Sequence, residues 1–240
     1  MDNSIGMVFI HGAGLNSSVW NPLLKLIPYP VLTIDILNRK SEQYLNSRLS
    51  FEDYIELVST DLKNWDISHF IIIAHSIGAC VGLKVAENFK SKLKGFVAIG
   101  SVIPVSGQSF VSTLPFPQKI VMPIILSVFG TKPPEKAIVR ELCNELPPQK
   151  IFEVVNEYTA ESKELYTTKF TYNRQDIRYL YIRLNNDQSI PIDLQDKMAE
   201  NLSASEIETL HCGHLPMLSN PNELANLLLN FVNDIAHEEV

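Results

Sequence analysis

The chain has 240 residues, enough for one full hydrophobic core, and 45% of them are hydrophobic, which excludes a disordered chain. A formal charge of −7 and a pI near 5.4 leave no basic footprint for nucleic acid or for an anionic membrane. Three scattered cysteines, Cys80, Cys143 and Cys212, have neither a disulfide-framework nor a metal-site spacing and suit a reducing compartment.

Met1-Asp2-Asn3-Ser4 lacks the basic and long apolar regions of a signal peptide, so a cytoplasmic location is expected. The apolar run 7–10 predicts the first strand, and His11-Gly12-Ala13-Gly14 follows as a small-residue loop. So few residues precede it that no antiparallel hairpin is expected ahead of this strand. Val19, Trp20, Leu23, Leu24 and Ile27 then trace a helical stripe, and 31–36 reads as the second strand. Ser50 and Asp53 resemble a capping box, with Phe51, Tyr54, Ile55, Val58 and Leu62 at helical spacing behind them. The apolar run 70–73 is the third strand, 80–89 a helix, and 93–100 the fourth strand.

From Ser101 the pattern changes. Eight prolines fall between Pro104 and Pro148, and helical runs at 135–146 and 149–158 replace strand signals until residue 176. The most apolar stretch there, 120–129, is about half the length that spans a bilayer and contains Pro123. Strand patterns return at 177–184 and 205–210, and Asn220-Pro221 with Glu223 opens a last helix whose Leu224, Leu227, Leu228, Phe231 and Ile235 point inward. Alternating strands and helices predict an α/β fold with a mainly parallel six-stranded sheet flanked by helices. The expected division is a core of 1–100 and 177–240 with a helical cap, 101–176, inserted between two core strands.

The chemistry concentrates at Ala74-His75-Ser76-Ile77-Gly78. A strand precedes this stretch and a helix follows, which is the context that turns G-x-S-x-G into a nucleophile elbow, with Ala74 in place of the first glycine. A serine hydroxyl is a weak nucleophile until an imidazole takes its proton and an acid orients that imidazole. Asp187 follows the strand at 177–184, and His214 follows the strand at 205–210, so Ser76, Asp187 and His214 stand in the order the elbow requires. Asp193 and Asp196 fall within the next helix, and the end of the fourth strand offers Ser101 alone. The N–H of Ile77 supplies one oxyanion donor, and Ala13 in the loop after the first strand is the choice for the second. His75 is expected to pack, His11 to pin the oxyanion loop, and Cys80 and Cys212 to be buried thiols. Of the apolar residues Phe110, Phe116, Met122, Phe129, Phe152, Tyr158 and Phe170, two or three are expected to line a pocket and the rest to form the interior of the cap.

These motifs resemble those of α/β-hydrolases along nearly the whole chain. H-G-A-G-L-N-S-S-V-W (His11 to Trp20) is similar to the oxyanion loop of pimeloyl-carrier-protein methyl ester esterases. Y-I-R-L-N-N-D-Q-S-I-P (Tyr181 to Pro191) and C-G-H-L-P-M-L-S-N-P (Cys212 to Pro221) resemble the plant methyl esterase and hydroxynitrile lyase group. The lyases of that group carry a threonine after the first-loop histidine and a lysine after the catalytic one. Gly12 and Leu215 stand there instead, so the resemblance implies an esterase, with these two positions beside the substrate. Relatives with an aspartate at the elbow are excluded by Ser76. What the resemblance implies is a serine carboxylesterase that cleaves a small or medium carboxylic ester, a small-molecule substrate, through an acyl-enzyme; the residues themselves call for no cofactor, no metal and no nucleic-acid or membrane partner. Two rivals stay open: a lyase in which Ser76 and His214 act only as a base relay, and a receptor-like ligand-binding protein on a hydrolase scaffold.

Overall fold

The computed structural model describes residues 5–36 and 47–238. Six strands, β1 (Ile5–Ile10), β2 (Val31–Ile34), β3 (His69–His75), β4 (Leu93–Ile99), β5 (Arg178–Leu184) and β6 (Glu206–Leu210), form one sheet in the order β2-β1-β3-β4-β5-β6. Every pairing is parallel. All six predicted strands therefore form, although β2 stops at Ile34, short of the predicted end. Residues 1–4 lie outside the described residues, and among those described the sheet has no antiparallel strand.

A parallel sheet covered on both faces needs strands that are apolar on both sides. In β1, Val8 and Ile10 join one buried cluster and Met7 and Phe9 the other. The first cluster packs against α2 (Phe51–Asn64) and α3 (Gly78–Ala86); the second packs against α1 (Asn21–Leu24) and α10 (Pro221–Glu238). The Ser50–Asp53 capping box is present, with Ser50 N–H donating to Asp53 Oδ2 at 2.7 Å and Asp53 N–H to Ser50 Oγ at 3.2 Å. The stripe at 19–27 is not one helix. It splits into a short 3-10 turn, Ser17–Trp20, and α1, which starts with Pro22 in its first turn.

The 101–176 stretch between β4 and β5 carries α4 (Gln118–Phe129), α5 (Glu135–Leu142), α6 (Pro148–Glu157) and α7 (Glu164–Thr167). The predicted run 135–146 ends early, at Leu142, and the freed turn brings Asn144 and Glu145 to the loops after β5 and β6. Of the seven apolar residues singled out here, three line a cavity as expected, but most of the rest do not form an interior. Phe110, Met122 and Tyr158 line a cavity and Phe170 is buried, whereas Phe116, Phe129 and Phe152 are exposed. A single layer of helices has an inner face only, so an all-round apolar helix such as α4 leaves its far side in water. Among the described residues no helix is long and apolar enough to cross a membrane.

The chain leaves β1 towards β2 on one side and returns to β3 on the other. Ligands of open α/β sheets bind in the crevice that such a reversal opens at the carboxyl ends of the strands. The loops after β1 and β3 are His11–Gly14 and Ser76.

Candidate active site

Ser76 sits between the last residue of β3 and the first turn of α3, at φ 53°. That left-handed conformation is costly for a residue with a Cβ and needs surroundings that enforce it. Ser76 N–H donates to Ile99 O at 3.1 Å, and its carbonyl accepts from Ala79 N at 3.3 Å and Val102 N at 3.2 Å. Two residues on, a Cβ at Gly78 would stand 2.4 Å from His11 O and 3.0 Å from Ile10 O. The elbow closes so tightly on the end of β1 that only glycine fits at 78, while Ala74 is tolerated on the strand side.

The elbow delivers Ser76 to His214. His214 Nε2 lies 3.2 Å from Ser76 Oγ, and its Nδ1 lies 2.7 Å from Asp187 Oδ2. All three residues are buried. A carboxylate only accepts, so Nδ1 carries the proton and Nε2 is left to accept a hydrogen bond from the Ser76 hydroxyl. The second oxygen of Asp187 is fixed as well: Oδ1 accepts from Ser189 N at 2.7 Å and Ile190 N at 3.0 Å. Asp193 and Asp196 lie in α8 (Ile192–Leu202), where Asp196 pairs with Arg183 at 2.8 Å. His211 bonds Asn185 on the surface and takes no part in this chain of contacts.

His75 packs as expected, with one addition: its Nε2 lies 2.8 Å from His214 O, so that nitrogen donates. Burial, and then the neighbouring His214, holds the His75 pKa well below the ordinary imidazole value, and the ring stays neutral. His11 pins the loop after β1, its Nδ1 donating to Gly12 O at 2.8 Å while its Nε2 accepts from Ile36 N at 3.3 Å. Gly12 lies against the nucleophile, since a Cβ there would meet Ser76 Cβ and His75 Nδ1, each at 2.8 Å. Among the described residues the N–H groups of Ala13 and Ile77 donate to no protein acceptor, and both residues line the cavity in front of Ser76.

The cavity encloses about 190 Å³. Gly12, Ala13, Ser76, Ile77 and His214 form its floor, and Met122, Leu126, Ile138 and Leu142 form an apolar roof. Leu215 does not fulfil its expected place beside the substrate. It is 1% exposed, does not line the cavity, and joins the buried cluster that holds Met217, just ahead of the short helix α9 (Pro216–Ser219). The cysteines are all buried, and burial pushes the thiols of Cys212 and Cys143 up to about 12 and about 11. Among the described residues no group of three or more His, Cys, Asp or Glu is disposed to hold a metal ion.

Two glutamates of the 101–176 segment reach the loops after β1, β5 and β6. Glu145 accepts from Gly213 N at 2.7 Å and from Asn186 Nδ2 at 2.8 Å, the neighbours of His214 and Asp187. Glu161, 3% exposed, accepts from Gly14 N at 2.9 Å. Sequence patterns are local, and these contacts span 68 and 147 positions, so no periodicity or motif marks either residue.

The match to known proteins follows the same chain of elements. Polyneuridine aldehyde esterase of Rauvolfia serpentina is 23% identical over 251 aligned positions, covering 93% of this chain and 94% of that protein. Methylesterase 7 of Arabidopsis thaliana is 24% identical over 263, covering 98% and 99%. Among solved structures, an extracellular alpha/beta-hydrolase from a Paenibacillus species, described as sharing structural and functional homology with tobacco salicylic acid binding protein 2, superposes with a TM-score of 0.84. It is 18% identical and covers 94% of this chain and 98% of its own. The family model of the alpha/beta hydrolases runs from Met7 in β1 to Leu227 in the last helix, taking in every strand of the sheet and the loops that carry Ser76, Asp187 and His214, and the chain belongs to that family.

Proposed function

We propose that this protein is a serine carboxylesterase that hydrolyses a small carboxylic ester through an acyl-enzyme. The observation that carries the proposal is the buried relay from Asp187 through His214 to Ser76, with contacts of 2.7 and 3.2 Å. Ser76 Oγ attacks the ester carbonyl while His214 Nε2 takes its proton. Asp187 holds the tautomer and stabilises the imidazolium, and the Ala13 and Ile77 N–H groups bind the oxyanion. His214 then returns the proton to the leaving alkoxide, giving the free alcohol and an ester between the acyl group and Ser76. Water, deprotonated by His214, attacks that ester and releases the carboxylic acid and Ser76. The 101–176 segment serves as a cap that excludes bulk water from this chemistry.

The cavity supports a narrow substrate class. Among the described residues no lysine or arginine lines it, which favours a substrate uncharged near the reacting ester. Its volume of about 190 Å³ falls below the roughly 300–1,000 Å³ of drug-sized ligand sites, which favours short acyl and alcohol groups. The esterase reading is favoured over the lyase by Gly12, because the threonine of the lyases would collide there with Ser76 and His75 at 2.8 Å. The named relatives, an aldehyde esterase and a methylesterase, fit the same reading. The test is hydrolysis of p-nitrophenyl esters from acetate to decanoate by wild type and Ser76→Ala in parallel. Turnover is expected to peak at the short end of the series and to vanish in the variant. Full activity in Ser76→Ala sinks the proposal.

A further inference from the structure

We propose that Glu161 is a positioning residue that sets the oxyanion hole by holding the peptide after Ala13. The inference rests on the esterase reading and deepens it.

Each peptide unit is a rigid plane, so a C=O and the following N–H are oriented together. The plane that contains Gly12 C=O and Ala13 N–H is fixed by the His11 ring, at 2.8 Å from Gly12 O. The next plane contains Ala13 C=O and Gly14 N–H, and Glu161 Oε1 fixes it at 2.9 Å. With both planes flanking its Cα held, Ala13 has no free torsion through which its N–H can swing away from Ser76. A third contact fixes the plane that follows, since Gly14 O accepts from Thr159 N at 3.0 Å. Gly14 itself adopts φ +72°, and a Cβ there would lie 2.1 Å from the Tyr158 ring.

Glu161 is equally well fixed. Its N–H donates to Thr131 Oγ1 at 2.9 Å, and the Thr131 hydroxyl donates to Glu161 O at 2.6 Å. Burying a carboxylate costs several kcal/mol unless it makes charge-assisted hydrogen bonds, and a bond from N–H to an ionised acceptor is roughly twice as strong as a neutral one. Burial first, and then Glu161 among other groups, raises the pKa values of the phenols of Tyr54, Tyr158 and Tyr166, which places the Glu161 side chain near all three. Tyr158 and Tyr166 line the cavity, so the group that holds the hole stands directly behind the substrate wall.

The experiment compares Glu161→Gln, Glu161→Asp and Glu161→Ala on p-nitrophenyl acetate, with wild type and Ser76→Ala beside them. Loss of one oxyanion donor costs about 10²–10³ in rate. Gln keeps the reach and an acceptor oxygen, and is expected to keep kcat within about fivefold. Asp keeps the charge but is one methylene short. It is expected to lose kcat by tenfold or more, approaching the loss in Ala, with KM changed by less than about threefold. Affinity for a trifluoromethyl ketone, which forms a tetrahedral adduct on Ser76, should fall in step with kcat/KM. If the Ala variant does not fold, the Gln–Asp contrast decides alone. Asp at wild-type kcat, Gln as impaired as Asp, or a loss confined to thermal stability or KM overturns the assignment of Glu161 while Ser76-dependent turnover in wild type leaves the esterase reading standing. Wild type without Ser76-dependent turnover overturns both.

Discussion

Replacing Asp187 with asparagine isolates the orienting function of the acid, because the structure dictates how the new amide must sit. Asp187 Oδ1 accepts two backbone N–H groups, from Ser189 and Ile190, at 2.7 and 3.0 Å. Turning the amide so that its NH2 faced them would leave both donors unsatisfied, at about 1–3 kcal/mol each. The amide oxygen therefore takes the Oδ1 position and the NH2 takes the Oδ2 position, 2.7 Å from His214 Nδ1. Facing a donor, Nδ1 gives up its proton and Nε2 acquires it. That nitrogen, 3.2 Å from Ser76 Oγ, is then no longer a base. The wrong tautomer costs about 10⁴ in kcat, or ~5.4 kcal/mol at 1.36 kcal/mol per decade. The assay is steady-state hydrolysis of p-nitrophenyl acetate, paired with a urea melt to show that the variant is folded. Activity within tenfold of wild type, or a larger loss in Asp193→Asn than in Asp187→Asn, would refute the reasoning.

Two further outcomes follow from the same elbow. Ser76→Gly should be more stable than Ser76→Ala by about 1 kcal/mol in urea melts, because glycine accepts φ 53° without the Cβ penalty and loses part of that gain to chain entropy. Equal or reversed midpoints would mean that the elbow is not strained. His75 should also make the fold acid-sensitive. Its folded pKa lies well below 6.5, so below about pH 6.5 the unfolded chain binds a proton that the native state refuses. Stability from this group is thus whole above that pH and falls as pH drops, by up to 1.36 kcal/mol per unit. His75→Asn should lose less stability than wild type between pH 7 and 5, and parallel losses would show that the native ring takes up the proton.

The fold was legible because a parallel sheet writes itself as apolar runs: 70–73 and 93–100 are buried on both faces and read as strands without ambiguity. That Ser76, Asp187 and His214 meet was legible for a related reason, since each follows a strand end and strand ends converge on one edge of the sheet. Leu215 was misplaced because adjacency to His214 in sequence says nothing about which way the next side chain turns, and here it turns into the core. The 101–176 segment was read as helical but its faces were not. Helical apolar spacing does not tell a wall of the cavity, as at Met122, from a surface in water, as at Phe129. Glu145 and Glu161 were invisible, because a glutamate on a loop looks solvated until the chain folds it against a backbone N–H far away.

The hydrogen bonds of Glu145 and Glu161 limit the modularity of the molecule. A chimera that grafted onto this core a 101–176 segment lacking glutamates at these two places would bring a new pocket roof but leave the Gly213, Asn186 and Gly14 contacts without their carboxylates. Such recombinants would fold around an intact sheet yet turn over poorly on any substrate, whatever the fit of their new pocket. On the esterase reading proposed above, specificity and turnover would be inherited together, and exchange of the roof would succeed only when those two side chains travel with it or are rebuilt in the donor.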